Sequence, residues 1–205
     1  MQLVEVPALP GLRLYAAHAR SGLWRLAETS GAETPPPYWA YVWAGGLVLA
    51  RYLRDRPETV RGKRVLDLGA GSGLVGIVAA QAGAKTVLAA DIDPFAIAVA
   101  RLNAAANRVL LELTGDDLVE GAEPDVDIVL AGDVFYDAGV GARVLPFLER
   151  CLAAGIEVLV GDPYRAPLPR ARLEPIAEYA VPDMGDSPKA AGRMSAVFRL
   201  LPPES

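Results

Sequence analysis

Aspartates that close short apolar runs carry most of the chemistry this sequence can offer. Asp67 follows Val65-Leu66, Asp91 follows Val87 to Ala90, Asp133 follows Ile128 to Gly132 and Asp162 follows Val158 to Gly161; Asp116 ends a fifth such run. Five acids in equivalent places suggest a ligand that is cationic and rich in hydroxyls. A glycine loop follows the first acid: Gly69, Gly71 and Gly73 occupy every second position and lead into the apolar run from Leu74. Such glycines admit φ > 0 and remove the Cβ atoms that keep a ligand from the backbone. The amides opening the next helix then face that ligand.

Two nucleotide classes compete for this loop. Gly71, Gly73 and Gly76 spell G-x-G-x-x-G, with Asp91 twenty residues after Gly71, which satisfies the dinucleotide fingerprint. But the glycine run begins earlier, at Gly69, and Asp67 stands where a pyrophosphate would come close. A carboxylate there repels phosphate by roughly 1 to 4 kcal/mol, depending on the dielectric. S-adenosylmethionine carries an ammonium and a sulfonium and no phosphate, so the acid plus Gly69, Gly71 and Gly73 points to it. Asp91 can then accept both ribose hydroxyls, since Asp93 is placed to cap the next helix. Ile92 would lie against the adenine, and Asp116 or Asp117 can accept from its amino group or serve only as a turn acid. Asp67 either holds the ammonium or braces the loop.

A second set of residues suits the group acted upon. Asp133 lies in Gly132-Asp133-Val134-Phe135-Tyr136-Asp137, at a strand end where a transferred methyl would arrive. A carboxylate beside aromatic rings suits an amine: the acid orients the nitrogen, and the rings stabilise positive charge by about 0.5 to 2 kcal/mol. Phe135 and Tyr136 can equally be core residues. Upstream, Pro35 to Pro37 force an extended approach to Trp39 and Trp43, which are four apart, as on a helix. Trp43 and Gly45-Gly46 read either as part of a core-packing helix or as one wall of the cofactor cleft. His18 has no partner acid or nucleophile spaced near it and reads as a surface residue.

The elements that must position these residues alternate. The pattern predicts strands over 63–68, 86–90, 109–113, 126–130 and 156–160, and helices over 74–82, 94–107 and 140–153, the second capped by Asp93 with Pro94 at its first position. Strands follow over about 175–181 and 194–201, separated by a loop over 182–192. Alternating strands and helices give a parallel sheet covered on both faces. Ten loop residues can close a hairpin but are short for a parallel crossover, so the last strand should run antiparallel. Val4 to Val6 and Leu12 to Tyr15 read as a short hairpin. One domain over 1–205 is expected, with a lid or hairpin over 1–34 and a catalytic core over 35–201.

The totals remove other classes. With 205 residues, 52% apolar and 22% charged, the chain can bury one α/β core. No apolar run reaches the roughly 18 to 20 residues of a membrane span. Met1 to Pro7 lacks the basic and apolar regions of a secretory signal. One cysteine, Cys151, and one histidine exclude an internal disulfide and Cys- or His-cluster metal sites, so neither metal nor membrane is expected, and a reducing, cytoplasmic setting is. A net charge of −5 carries no basic face for nucleic acid.

Taken in order, Trp39 to Gly46, Val65 to Gly76, Asp91-Ile92-Asp93-Pro94, Gly132 to Asp137 and Gly161-Asp162-Pro163 resemble the seven-stranded, Rossmann-like class I protein-lysine methyltransferases with a D-x-x-Y motif, and most of all the lysine methyltransferases of the electron transfer flavoprotein β-subunit and their bacterial relatives. The likeness covers about residues 35–201; Ala44 departs from it, standing where the family often has proline. The resemblance implies S-adenosylmethionine as donor and a protein lysine as acceptor, in the flavoprotein β-subunit or a ribosomal protein, with Asp133 and Tyr136 at the lysine. Its implied cofactor set is Trp43, Asp67, Gly69, Gly71, Gly73, Asp91, Ile92 and Asp116. The remaining alternatives are a small amine or pyridine-type acceptor, a nicotinamide dinucleotide oxidoreductase and a non-catalytic binding module.

Overall fold

A computed structural model of the chain describes residues 1–17, 22–23, 36–183 and 192–203. His18, residues 24–26 and most of the loop expected over 182–192 lie outside them. The described residues form a small hairpin and a seven-stranded sheet. The hairpin pairs β1 (Gln2–Glu5) with β2 (Arg13–Ala16). Then come α1 (Ala44–Asp55), β3 (Arg64–Leu68), α2 (Leu74–Gln81), β4 (Thr86–Ala90), α3 (Pro94–Ala106), β5 (Glu112–Thr114), β6 (Ile128–Gly132), α4 (Ala138–Ala153), β7 (Glu157–Asp162), β8 (Leu173–Val181) and β9 (Arg193–Leu200).

The sheet order is β5-β4-β3-β6-β7-β9-β8. The first five strands are parallel, and β9 runs antiparallel to both β7 and β8, as the short final connection requires. Chain order reverses between β3 and β6, so a cleft opens over their carboxyl ends. The central strands are apolar on both sides, as expected where both faces are covered. Val65, Ile128, Leu130, Leu159 and Val197 face α1 and α2. Their neighbours Leu66, Val129, Val158, Val160 and Phe198 face α4, whose Val144, Phe147, Leu148 and Cys151 meet them.

Three differences from the sequence pattern bear on the site. Trp39 and Trp43 do not share a helix: Tyr38–Ala40 is a single 3-10 turn, Trp43 is the residue before α1, and the helix starts at Ala44. The strand expected from Val109 begins only at Glu112, because Val109 and Leu111 turn into the α1/α2 core while Leu110 is exposed. α4 begins at Ala138, as Asp137 caps it through the amides of Gly139 and Val140.

The hairpin docks on α3 through two asparagines. Asn103, fully buried, accepts from the Tyr15 amide at 2.7 Å and donates to the Ser72 carbonyl at 2.8 Å. Asn107 accepts from the Arg13 amide at 3.0 Å. The N-terminal segment is thereby tied to the glycine loop. Among the described residues no helix is long and apolar enough to cross a membrane.

α1 approaches the sheet more closely than side chains allow. A Cβ on Gly45 would lie 2.2 Å from the Gly161 carbonyl oxygen, and one on Gly132 would lie 2.8 Å from the Gly46 Cα. At Gly46 a Cβ would meet only ordinary contacts, 3.7 Å from Val75 and 3.8 Å from Asp133. Gly45→Ala should therefore cost about 1 to 3 kcal/mol or more. Gly46→Ala should be neutral or slightly stabilising, since alanine is the better helix former. Urea denaturation of the two variants checks the contrast.

Candidate active site

A cavity of about 920 Å³ lies over the carboxyl ends of β3, β4 and β6. Its walls include Gly69, Gly71, Asp67, Asp91, Ile92 and Asp116 at one end and Trp43, Asp133, Tyr136 and Arg165 at the other. Of the residues expected to bind or react, only Gly73 does not line it; Gly73 instead opens α2 with φ 77°. Asp162, the fifth strand-end acid, is also absent from the wall: it is fully buried beneath. The acids therefore do not form a uniform row.

Each does something different. Asp67 is 2% exposed and accepts from the Gly76 amide in the first turn of α2 at 2.8 Å. Burial raises its pKa to about 7, against the lowering effect of that amide. Its carboxylate is turned to the helix that follows the loop. Asp91 accepts from the Gly71 amide at 2.8 Å with one oxygen and from the Asp93 amide at 2.9 Å with the other. Its pKa is raised, chiefly by burial. The first bond holds the glycine loop in its left-handed turn, where Gly69 and Gly71 have φ of 67° and 52°. Ile92 is 65% exposed, an apolar face presented to the cavity. Asp116 is exposed and accepts from the Thr114 hydroxyl at 2.7 Å. Asp117 caps the turn Leu118–Glu120 and pairs with Arg143 at 2.7 Å.

Asp133 has a left-handed backbone, φ 58°, which aspartate tolerates better than most residues. Its amide donates to the Gly161 carbonyl at 3.0 Å. One carboxylate oxygen accepts from the Gly46 amide at 2.6 Å and the other from the Arg165 guanidinium. Burial raises its pKa while Arg165 and the α1 amides oppose the rise. Arg165 also reaches Asp162 at 3.4 Å and Asp183 at 3.8 Å, and Asp183 accepts from the Ala44 amide at 3.1 Å. Two of the orphan amides of α1 are thus satisfied by carboxylates distant in sequence.

Tyr136 is 46% exposed at the mouth, with its ring centroid 5.2 Å from that of Tyr38. Tyr38 meets Trp43 at 5.6 Å, edge to face, and its carbonyl accepts from the Trp43 indole at 2.8 Å. Burial raises the Tyr136 pKa, so the phenol stays protonated at neutral pH and can donate but not abstract a proton. Sequence reasoning missed Arg165 and Tyr38 and gave Asp162 the wrong side of the wall. Arg165 follows Gly161-Asp162-Pro163-Tyr164, and that motif is the one signal that could have marked it.

The sheet order and the acid-and-glycine cleft define a class I, Rossmann-like methyltransferase. Solved structures agree on the fold: the ribosomal protein L11 methylase of Lactobacillus delbrueckii subsp. bulgaricus has a TM-score of 0.55 at 24% identity, covering 76% of this chain and 77% of that one. The Pyrococcus abyssi tRNA (uracil-54, C5)-methyltransferase, solved in complex with S-adenosyl-L-homocysteine, has a TM-score of 0.56 at 23% identity, covering 74% and 38%. The profile of the ribosomal protein L11 methyltransferases (PrmA) matches residues 52–134. The electron transfer flavoprotein β-subunit lysine methyltransferase of Xenopus laevis is 39% identical over 187 residues, 86% of this chain and 74% of that protein. Its Danio rerio counterpart is 37% identical over 171 residues, 80% and 66%. The chain belongs to this family of lysine methyltransferases.

The raised pKa of Asp67 has a consequence for stability. The unfolded chain loses this proton near the ordinary carboxylate value of 3.8, whereas the folded chain keeps it until about 7. The folded state then binds more protons in that window, so stability falls as pH rises through it. Asp67→Asn can still accept from Gly76 and should flatten this decline, by up to a few kcal/mol between the ends of the window. Urea midpoints of both proteins at several pH values measure it.

Proposed function

We propose that this chain transfers methyl groups from S-adenosylmethionine to lysine ε-amines of a protein, with the electron transfer flavoprotein β-subunit as the substrate of choice. One observation carries the reading: a single cavity joins the glycine loop and Asp91 to Asp133 and Tyr136.

The residues fit the donor. The loop amides that would bind a pyrophosphate are already given to carboxylates, Gly71 to Asp91 and Gly76 to Asp67. The two arginines of the wall, Arg143 and Arg165, are both paired with acids. Among the described residues of the wall a phosphate would find no unpaired arginine, while a cationic, phosphate-free nucleoside meets acids. Asp91 would take the ribose hydroxyls through its remaining lone pairs, Ile92 the adenine face and Asp116 the adenine amino group. Gly69 and Gly71 would let the backbone approach, Gly73 starts the helix behind them, and Asp67 braces the loop. Trp43 closes the side next to the methyl. When bound, the donor supplies a methyl on a sulfonium, which the lysine nitrogen takes as the carbon–sulfur bond breaks.

Asp133 and Tyr136 orient the lysine nitrogen, and the rings of Tyr136, Tyr38 and Trp43 sheath its aliphatic stem. The amine attacks only when neutral, so its proton must first pass to solvent. A mouth bordered by exposed Tyr38 and Tyr136 suits a side chain on a protein surface better than a small enclosed amine. The two wings of the fold, the docked hairpin and the core, act as one catalytic domain in a reducing, cytoplasmic setting.

Asp91→Ala should weaken S-adenosylmethionine binding by about ten- to a hundredfold, the worth of hydrogen bonds to a charged group, read by calorimetry. Asp133→Ala should abolish labelling of the flavoprotein β-subunit by radioactive donor and leave donor affinity nearly unchanged. Equal loss of both would move Asp133 into the cofactor site. Stabilisation of the protein by nicotinamide dinucleotide instead of S-adenosylmethionine would refute the reading.

A further inference from the structure

Arg165 lines this cavity and has no role in the reading above. It sits just past the end of β7, and its side chain is 16% exposed. Its guanidinium reaches three carboxylates from three elements: Asp133 after β6, Asp162 at the end of β7 and Asp183 after β8. Its own amide donates to Asp162 at 2.6 Å, which fixes where the side chain starts. The first turn of α1, also packed here, contributes backbone amides rather than charge, to Asp133 and Asp183. One cation thus faces three acids, and it touches the acid that meets the substrate.

We propose that Arg165 is a positioning residue of the methyl-transfer site, holding Asp133 against the α1 N-terminus and cancelling enough of its charge for a bound lysine to lose its proton there. The inference rests on the lysine methyltransferase reading of the cavity. The physical reason is the sign of the local field. A carboxylate without a counterion stabilises the ammonium form of lysine and raises its pKa, and a nearby cation does the reverse. The reaction needs the amine to enter the site, which favours negative charge, and then to deprotonate, which opposes it. A carboxylate already shared with a guanidinium answers both needs. A permanently charged arginine does this at every working pH, and its planar fork spans several acids at once, as a lysine cannot.

Four quantities separate this from a merely structural role. The wild-type protein is first shown to methylate the purified flavoprotein β-subunit; failure there sinks the functional reading itself and not this inference. In Arg165→Met, affinity for that substrate without donor, read by biolayer interferometry, should be unchanged or tighter, and S-adenosylmethionine affinity by calorimetry unchanged. Turnover at neutral pH should fall about tenfold, and the rising limb of the kcat–pH profile should move to higher pH by about one unit. Arg165→Lys, which keeps the charge and loses the fork, should leave the limb where the wild type has it and recover part of the turnover. Unchanged turnover in Arg165→Met, or a fall with the limb unmoved, overturns the proposal. If thermal melting shows Arg165→Met unfolded, Arg165→Lys decides: wild-type turnover, or a limb moved to higher pH, overturns it.

Discussion

Backbone lies directly on backbone where α1 meets the sheet, and the rest of the site depends on that contact. The first turn of the helix rests across the ends of β6 and β7, with Gly45 against Gly161 and Gly46 against Gly132. No side chain fits between them. The close approach aims the leading amides of α1 at the strand ends, and Trp43 offers no side-chain cap. Asp133 and Asp183 fill that place. Three stretches far apart in sequence, Trp43 to Gly46, Gly132-Asp133 and Gly161-Asp162, are therefore one physical unit. Gly45, Gly132 and Gly161, where a Cβ would strike backbone, are needed so that an acid on another strand can reach a helix end.

The same device recurs along the rim. Asp67 takes an amide of α2, and Asp91 takes an amide of the glycine loop. The acids shape the loops before any ligand arrives. An ionised carboxylate has about four lone-pair sites, so Asp91, with two occupied, keeps two for a pair of hydroxyls. Capping alone does not account for burying Asp133. A charge-assisted hydrogen bond contributes about 1.5 to 3 kcal/mol, whereas removing a carboxylate from water costs several. The ion pair with Arg165 offsets part of that cost. A neutral cap such as serine could hold α1 without the cost of burying a charge, which fits the ligand-facing role proposed for Asp133.

Much of this was legible in the sequence because its signals are local. Alternation of apolar runs with capped helices fixes the sheet, and the short link between β8 and β9 fixes the direction of its last strand. The glycines and acids of Val65 to Gly76 and Asp91 mark the cofactor end by spacing alone. Trp39 and Trp43 misled because a spacing of four also arises in an extended, proline-led segment that turns once. The strand after α3 shifted because Val109 and Leu111 had a nearer core to fill. Asp162 looked equivalent to the other strand-end acids, since register along a strand does not reveal which ends a later loop will cover. Arg165 was invisible for a different reason: its partners come from three separate strand ends, and only the folded sheet brings them together.

Proton balance ties the geometry to the chemistry. A carboxylate such as Asp133 is intrinsically a far weaker base than a lysine amine, the ordinary pKa values being about 3.9 and about 10.4. Tyr136 is already protonated and can only donate. In the proposed lysine site, neither Asp133 nor Tyr136 can therefore serve as a strong general base. The remaining lever is the field around the nitrogen, made by acids on one side and by the guanidinium and the donor's own cation on the other. Such a field needs fixed charges at fixed distances, which a loop on its own cannot provide. Glycine packed on glycine, with the acids capping the helix that results, supplies that rigidity, and so the closest backbone contact in the fold also sets the charge balance at its reaction centre.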